Sequence, residues 1–213
     1  MKKNFFIAFE GLDGSGKSTQ AKLLAKNLEE RGLKTYLTSE PTDSSIGRLI
    51  RDIFQHKQEA DHRTIAALFA ADRLDHLLNK TNGVLKKMKE GYTVITDRYY
   101  FSSYAYHGTH MDMNWVIEAN SLSADLLRPD LTIYIDMSPE ESMKRLDKGR
   151  SSTELYETTE NLRQVKEKYF EAFEILKEKE KIFITNGDRA VDDIAKDISA
   201  KISAMMKPEN SLS

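Results

Sequence analysis

A glycine-rich segment near the start of the chain has the residue types and spacing of a phosphate-binding loop. Residues 11–18 read Gly-Leu-Asp-Gly-Ser-Gly-Lys-Ser and match the pattern G-x-x-x-x-G-K-[ST] in full. Glycines let backbone N–H groups turn inward around phosphate oxygens, and the N-terminus of a following helix adds the positive end of its dipole. Lys17 is expected to reach the β- and γ-phosphates of a nucleoside triphosphate, and Ser18 to coordinate Mg²⁺.

The context of this loop agrees with the pattern, because it lies between a predicted strand and a predicted helix. A glycine turn that binds nothing is therefore disfavoured. The predicted nucleotide contacts in the loop are Gly11, Leu12, Asp13, Gly14, Ser15, Gly16, Lys17, Ser18 and Thr19. The loop alone does not distinguish kinases from GTPases, motors or transporters.

A carboxylate and a guanidinium emerge together at the end of another predicted strand. Asp97 and Arg98 follow the apolar run 94–96. Asp97 could hold Mg²⁺ or its waters, and Arg98 could bind phosphate oxygens with two parallel hydrogen bonds. The alternative is a structural ion pair. A GTPase is disfavoured, because residues 97–100 lack the glycine of D-x-x-G and residues 79–82 lack the aspartate of N-K-x-D.

An aromatic ring and an arginine share one face of a predicted helix. Phe69 and Arg73 are separated by four residues. The ring could stack on a base while the guanidinium donates to a carbonyl at the base edge, which suits a pyrimidine. From periodicity alone, the better interpretation is that Phe69 belongs to the core and Arg73 is solvated.

Alternating strands and helices must position these residues. Short apolar runs predict five strands, at 4–10, 34–38, 92–96, 131–135 and 181–185. Helical spacing of apolar residues predicts helices at 17–31, 46–53, 61–78 with an extension to 89 broken at Asn82-Gly83, 161–179 and 190–206. Ser138-Pro139-Glu140-Glu141 combines an N-cap, a proline at the first helical position and a capping-box acid, and so marks a further helix start.

This order predicts an α/β fold in which helices cover both faces of a five-stranded parallel sheet. Ligands in such folds bind at the carboxyl ends of the strands, where Gly11, Glu40, Asp97 and Asn186 would meet. Residues 144–157 are dense in charge and small polar side chains, and they are predicted to form a short mobile lid.

The composition is that of one folded domain spanning residues 1–213, with no linker or repeat that divides it. Lys+Arg 32 against Asp+Glu 34 give a net charge of -2, which offers no overall attraction to nucleic acid or an anionic membrane. Cysteine is absent, so disulfides and thiolate chemistry are excluded. Because no segment approaches the roughly 20 apolar residues of a membrane span, a cytoplasmic protein is expected.

Several segments together resemble the thymidylate kinases, a family of P-loop nucleoside-monophosphate kinases. The opening stretch 9–20 is closely similar to the start of those proteins. Four further segments follow in the family's order: Glu40-Pro41 with Ile46-Gly47, residues 68–73, Asp97-Arg98-Tyr99 with Ser102-Ser103 and Ala105-Tyr106, and residues 128–132. The resemblance extends over most of the chain and implies the three-layer α/β/α fold of P-loop NTPases.

The resemblance implies roles for the residues that match. Asp13 would contact the deoxyribose 3′-hydroxyl, Phe69 would stack on thymine and Arg73 would bond its edge. Arg98 would bridge the donor and acceptor phosphates. Residues that would line the base and sugar pocket are Ser102, Ser103 and Tyr106, and the bulk of Tyr106 would oppose a 2′-hydroxyl.

The resemblance also implies where a catalytic cation should lie. The family carries it either in the P-loop or in the lid, and Gly14 occupies the P-loop position here. The lid candidates are Arg145, Lys148 and Arg150, with Arg150 taken as catalytic and Arg145 as an ATP contact. Lid closure would bring the charge over the transferring phosphoryl group and exclude water. An ordinary solvated basic loop is the alternative.

Three positions depart from the family pattern. His107 stands where glutamine is common, Ser39 stands where arginine often precedes Glu40-Pro41, and Leu155 stands where an arginine is often seen. These departures affect the expected base-edge contacts, acceptor-phosphate contacts and lid chemistry, respectively.

The resemblance implies transfer of the γ-phosphoryl group of ATP to dTMP, with Mg²⁺, by a homodimer. Its substrates would be the small nucleotides dTMP and ATP, with no nucleic-acid or membrane partner. One alternative is a related kinase acting on dUMP, another pyrimidine monophosphate or a nucleoside. A second alternative, from another class, is a non-catalytic nucleotide sensor or assembly factor that retains the P-loop. The paired Asp97 and Arg98 count against the second alternative.

Overall fold

A five-stranded parallel sheet forms the centre of the protein. The computed structural model describes residues 4–149, 155–156 and 158–206. The strands are β1 (Phe6–Gly11), β2 (Thr35–Ser39), β3 (Thr93–Asp97), β4 (Leu131–Asp136) and β5 (Ile182–Asn186), in the spatial order β2-β3-β1-β4-β5. All neighbouring pairs are parallel.

Helices connect the strands and cover both faces of the sheet. They are α1 (Lys17–Glu30), α2 (Ser45–Phe54), α3 (His62–Leu78), α4 (Val84–Lys89), α5 (Tyr100–His107), α6 (Met113–Ala119), α7 (Ser121–Leu126), α8 (Pro139–Gly149), α9 (Thr159–Leu176) and α10 (Val191–Met206). Among the residues described, none of these helices is both long and apolar enough to cross a lipid bilayer.

Burial of the strands follows their place in the sheet. Strand β1 lies at the centre, is buried along its whole length and reads as a nearly continuous apolar run, as expected for a strand covered on both faces. Strands β2 and β5 form the edges and are only partly buried.

Two apolar layers separate the sheet from its helices. On one face, α1 and α10 pack against it through side chains that include Leu24, Leu28, Ile194 and Ile198. On the other face, the core is aromatic and includes Tyr99, Tyr134, Tyr169 and Phe173, contributed by β4, α9 and the turn after β3. The expected three-layer α/β/α architecture is confirmed.

The predicted strands agree with the structure to within two residues at each end. The long helix predicted from residue 61 ends at Leu78, and α4 begins after Gly83, close to the break expected at Asn82-Gly83. Ser138 caps α8 as expected, since its hydroxyl accepts from the backbone N–H of Glu141 at 3.3 Å. No element was predicted between Asp97 and Leu131, a segment that contains α5, α6 and α7.

The segment predicted to be a lid is partly helical. Residues 144–149 continue α8, while residues 150–154 and 157 lie outside the described part of the chain. The predicted catalytic residue Arg150 is among them. Its role stays a prediction.

The parallel register brings the carboxyl ends of the strands to one edge. Asp97 lies beside Phe9 of β1 and beside Ser39 of β2. The backbone N–H of Glu40 donates to the carbonyl of Asp97 at 3.0 Å, which extends this pairing beyond β2. Glu40 and Asp97 therefore meet beside β1 as expected, whereas Asn186 lies at the end of β5, the edge strand farthest from β2.

Candidate active site

The phosphate-binding loop has a backbone that requires glycine. Gly14 and Gly16 have φ of 79° and 95°, in the left-handed region that side chains disfavour. At Gly14, an added Cβ would also lie 2.8 Å from the backbone oxygen of Ser142. The loop therefore curves tightly from β1 into the N-terminus of α1, which leaves its amide groups available for an anion.

Lys17 lies inside this loop. Its side chain is buried, and its ammonium donates to the carbonyl of Leu12 at 2.7 Å. Burial and the nearby positive charge of Arg98 lower the pKa of Lys17 to about 8. The carboxylates of Asp13 and Asp97 oppose this lowering only in part, and a bound phosphate group would add negative charge beside the ammonium.

Ser18 and Asp97 form a pair of oxygen ligands beside the loop. The hydroxyl of Ser18 donates to Oδ2 of Asp97. The other carboxylate oxygen, Oδ1, is buried and has no hydrogen-bond partner among the described residues. Carboxylate and hydroxyl oxygens are ligands that Mg²⁺ prefers, so the two side chains and the unpartnered oxygen fit this ion.

Arg98 connects the loop to α5. Its Nη1 donates to Oγ of Ser102 at 2.8 Å, while its Nη2 donates to Oδ1 of Asp13 and to the hydroxyl of Tyr106 at 3.3 Å. The guanidinium also lies over the ring of Tyr106, 4.9 Å from its centroid. Arg98 has a φ of 74°, a strained value for a residue with a side chain.

Asp13 is the acidic member of this cluster. The hydroxyl of Tyr106 donates to its Oδ2 at 2.8 Å. Burial acts to raise the pKa of Asp13, but the charges of Arg98 and Lys17 prevail and lower it to about 2. The carboxylate is therefore ionised at physiological pH, and Asp13, Arg98 and Tyr106 hold one another in place.

A cavity of about 570 Å³ opens beside this cluster and extends from the P-loop to α2 and α3. Asp13, Lys17 and Arg98 line its phosphate-loop end. Aromatic side chains line the other end, where Phe69 lies 5.7 Å from Phe54 between ring centroids. The shape and lining suit a ligand with an anionic group at one end and a flat ring at the other.

All but one of the residues predicted to bind the acceptor line the cavity. Phe69, Arg98, Ser102, Ser103 and Tyr106 all line the cavity, although Phe69 also packs in a small cluster with α2. Ser102 and Ser103 lie on the first turn of α5, which explains their place beside Arg98.

Arg73 is the exception among these residues. It is fully buried and does not line the cavity. Its Nε and Nη2 contact Oε2 of Glu40 at 2.9 and 2.7 Å, and Nη2 also donates to the carbonyl of Tyr99 at 3.1 Å. Its Nη1 donates to Ser103 at 3.0 Å and to Asn120.

All five N–H groups of this guanidinium are thus engaged by protein atoms. The interpretation of Arg73 as a solvated residue is therefore wrong, because its side chain is fully buried. The cause is its partner Glu40, which lies at the end of β2 and is also buried. Arg73 instead supports the cavity wall from beneath, through Ser103. Its contact with a base edge stays a prediction, and it would require one of these donors to leave its protein partner.

The cations predicted on the lid are separated by the described structure. Arg145, on α8, lines the cavity, and its Nη2 donates to the carbonyl of Gly187 at 3.3 Å. Lys148 is exposed near the end of the same helix. The structure thus brings Arg145 to the P-loop end of the site.

The three departures from the family pattern occupy different environments. His107 lines the cavity 5.1 Å from Phe69, and burial together with the charge of Arg73 lowers its pKa to about 3, so the imidazole is neutral. Ser39 lines the cavity near Glu40. Leu155 packs against the apolar core and has no polar role.

Two cavity residues on α2 were not predicted from the sequence. Arg51 lines the cavity, and its Nη1 donates to the carbonyl of Pro41 at 2.9 Å. Phe54 lines it one turn later. The available signal was helical spacing, because Arg51 and Phe54 follow Gly47 by four and seven residues and so share its face.

The sequence comparisons agree with this geometry. A family model described as thymidylate kinase matches residues 9–198. A probable thymidylate kinase from Pyrococcus horikoshii is 40% identical over 206 residues, which cover 94% of this chain and 96% of the relative. Probable thymidylate kinases from Thermococcus gammatolerans and Methanocaldococcus jannaschii are 38% and 35% identical, and the matches cover 91% and 93% of this chain and 93% and 95% of those relatives. The chain belongs to the thymidylate kinase family.

Proposed function

We propose that the protein transfers the γ-phosphoryl group of ATP to the 5′-phosphate of dTMP, giving dTDP and ADP. The observation that carries this proposal is the position of Arg98. Its guanidinium lies between the P-loop residue Asp13 and the α5 residues that line the cavity. A cation at this junction can contact phosphates from both sides as two anionic substrates approach.

The donor binds along the P-loop. Its phosphates accept from the loop amides, and Lys17 exchanges the carbonyl of Leu12 for the β- and γ-phosphates. Ser18 and Asp97 would hold Mg²⁺, which would supply positive charge to the phosphates of the donor. The buried, unpartnered Oδ1 of Asp97 supports this assignment.

The acceptor occupies the cavity. Its base lies against Phe69 and the neutral ring of His107, and its deoxyribose faces Asp13 and Tyr106. Its 5′-phosphate lies between Arg98 and Arg51, the guanidinium groups that line this part of the cavity. Arg51, on the next helix, supplies a guanidinium to this part of the cavity, where Ser39 stands at a position that often holds arginine in the family.

The chemical step follows from position and charge. An acceptor phosphate is already a nucleophile at neutral pH, so no strong general base is required. Arg98 holds the attacking phosphate in line and stabilises charge on the transferring group, and Arg145 contributes from the donor side. Closure of a lid that carries Arg150 would exclude water.

The protein is proposed to work as a homodimer in the cytoplasm. Four large apolar side chains are exposed on helices that contact one another: Leu78 on α3, Trp115 on α6, and Leu122 and Leu126 on α7. A second copy of the chain would cover them. Light scattering should report a dimer for the wild type and a monomer for Leu122→Glu.

ADP release in the presence of different acceptors tests the activity. We expect turnover with MgATP and dTMP, weaker turnover with dUMP and dCMP, and none with thymidine, because a nucleoside lacks the phosphate that Arg98 and Arg51 bind. Equal turnover across the monophosphates would refute dTMP as the substrate. ATP binding without acceptor-dependent ADP release would favour the non-catalytic alternative.

The variant Arg98→Ala tests the proposed role of Arg98 in the transfer step. Removing a charge that stabilises the transition state should lower kcat by about 100-fold or more. ATP binding, which depends mainly on the loop amides and Lys17, should change much less than kcat. Full turnover in this variant would contradict the role of Arg98.

A further inference from the structure

Glu10 is a buried acid that the proposed mechanism does not use. It lies on β1 immediately before the P-loop, is fully buried, and does not line the cavity. An unpaired carboxylate in such a place would be strongly unfavourable. Hydrogen-bond donors around Glu10 must therefore stabilise its carboxyl group.

Four donors converge on its two oxygens. Oε1 accepts from the backbone N–H groups of Tyr99 and Ser102, at 2.8 and 3.2 Å. Oε2 accepts from the hydroxyl groups of Ser102 and Tyr169, at 2.6 and 2.9 Å. Burial raises the pKa of Glu10, and the charge of Arg98 and these hydrogen bonds oppose that rise. Four donors on two oxygens match the four acceptor sites of a carboxylate. Three of these four donors belong to neighbours of Arg98: Tyr99 follows it in the chain, and Ser102, which supplies two donors, contacts its guanidinium.

The backbone of Arg98 depends on these bonds. Its positive φ is strained for a residue with a side chain and persists only where the surroundings hold it. Its own N–H donates to the carbonyl of Phe9 at 2.9 Å, and its carbonyl accepts from the hydroxyl of Thr96 at 2.9 Å. The next N–H, that of Tyr99, donates to Glu10. Glu10 thus fixes the peptide that leaves Arg98.

The side chain of Arg98 depends on the same carboxylate. Ser102 donates its hydroxyl hydrogen to Glu10 and so turns its lone pairs toward Nη1 of Arg98, which donates to it at 2.8 Å. Glu10 therefore sets the direction of Ser102, and Ser102 sets the direction of the guanidinium. One buried group holds Arg98 at both its backbone and its side chain.

We propose that Glu10 is a positioning residue that presents Arg98 to the phosphoryl group in transfer. This proposal rests on the proposed function of Arg98 and assigns Glu10 no contact with either substrate. A carboxylate suits the task because it only accepts hydrogen bonds. In Glu10→Gln, one end of the side chain becomes a donor and faces the hydroxyl groups of Ser102 and Tyr169, so the orientation of Ser102 is lost.

A double-mutant cycle tests the proposal. Glu10→Gln should lower kcat by about 10- to 100-fold while the KM values for ATP and acceptor change by less than about threefold, because a misplaced Arg98 affects the transition state most. In an Arg98→Ala background, measured by single turnover at high protein concentration, the same change should lower the rate by less than about twofold, since no guanidinium remains to be positioned. Equal losses in both backgrounds would show a merely structural role and overturn the proposal.

A second buried acid provides the matched control. Glu180 accepts from the hydroxyl of Tyr100 at 2.6 Å and from Nη1 of Arg128 at 2.7 Å, and it does not line the cavity. Glu180→Gln should lower thermal stability and leave kcat within about twofold of wild type. If it lowers kcat as much as Glu10→Gln does, loss of any buried acid explains the effect and the proposal fails.

A milder variant covers the case in which Glu10→Gln does not fold. Tyr169→Phe removes one donor to Glu10 and should lower kcat by about threefold, again without effect in the Arg98→Ala background. An unchanged kcat together with an unfolded Glu10→Gln would also overturn the proposal. The cycle uses the monophosphate that the wild type phosphorylates fastest. Failure of dTMP as the substrate is then distinguishable from failure of the role of Glu10.

Discussion

Replacing Glu40 by glutamine removes the negative charge that partners a buried arginine. Glu40 and Arg73 are both almost completely excluded from solvent, and Oε2 of Glu40 lies 2.9 and 2.7 Å from two guanidinium nitrogens. Oε1 contacts Nδ1 of His76 at 3.0 Å. In Glu40→Gln, Arg73 would keep its charge beside neutral partners only, such as Ser103 and Asn120.

The expected loss of stability is large. Breaking a buried ion pair by removing one partner lowers the free energy of unfolding by about 3–5 kcal/mol. For a chain of this size, each kcal/mol lowers Tm by about 2–4 °C, so Tm should fall by about 6–20 °C. Because Arg73 supports Ser103 in the cavity wall, the KM for dTMP should rise while the KM for ATP stays nearly constant.

Urea unfolding and thermal scans measure these effects. The double variant Glu40→Gln, Arg73→Met removes both charges and should recover part of the lost stability. Glu90→Gln, which breaks a surface pair with Lys86, should leave Tm unchanged. A loss below about 1 kcal/mol in Glu40→Gln would refute the reasoning that a buried charge pair holds α3 to the end of β2.

Three further predictions concern the substrates and the metal. Tyr106→Phe removes a hydrogen bond to Asp13 and should lower kcat by about tenfold while preserving selection of deoxyribose over ribose, whereas Tyr106→Ala should lose that selection, as measured with dTMP and its ribonucleotide. The lowered pKa of Lys17, about 8, means that its proton is lost as pH rises through that value, so the KM for ATP should rise by about tenfold from pH 7 to 9; a flat profile would contradict this. Asp97→Asn supplies a weaker ligand and should raise the Mg²⁺ concentration needed for half-maximal activity by about tenfold, with metal-free ATP binding unchanged as the control.

Features encoded locally could be predicted well. The P-loop is a short segment whose glycines, lysine and serine lie within a few residues of one another. Its sequence pattern is therefore enough to predict its backbone geometry. The buried strands were recognisable because both faces of each are covered, which demands a continuous apolar run. Helices α5, α6 and α7 were not predicted. Helix α5, for example, is buried at every residue and therefore has no polar face to reveal its period.

The sequence by itself determined that a phosphate-binding loop pattern lies between a strand and a helix, and that other polar residues follow the neighbouring strands of a parallel sheet. Only the tertiary structure decided which partners each of those residues contacts. Arg73 shares a helix face with Phe69 in the sequence, and only folding brings it to Glu40, 33 residues away, in a buried ion pair. Glu10 looks like an interruption of an apolar strand, yet Tyr99 and Ser102 turn it into the support of Arg98. The physical reason is that the role of a buried charge depends on the partners that satisfy it, and folding brings these partners from distant parts of the chain.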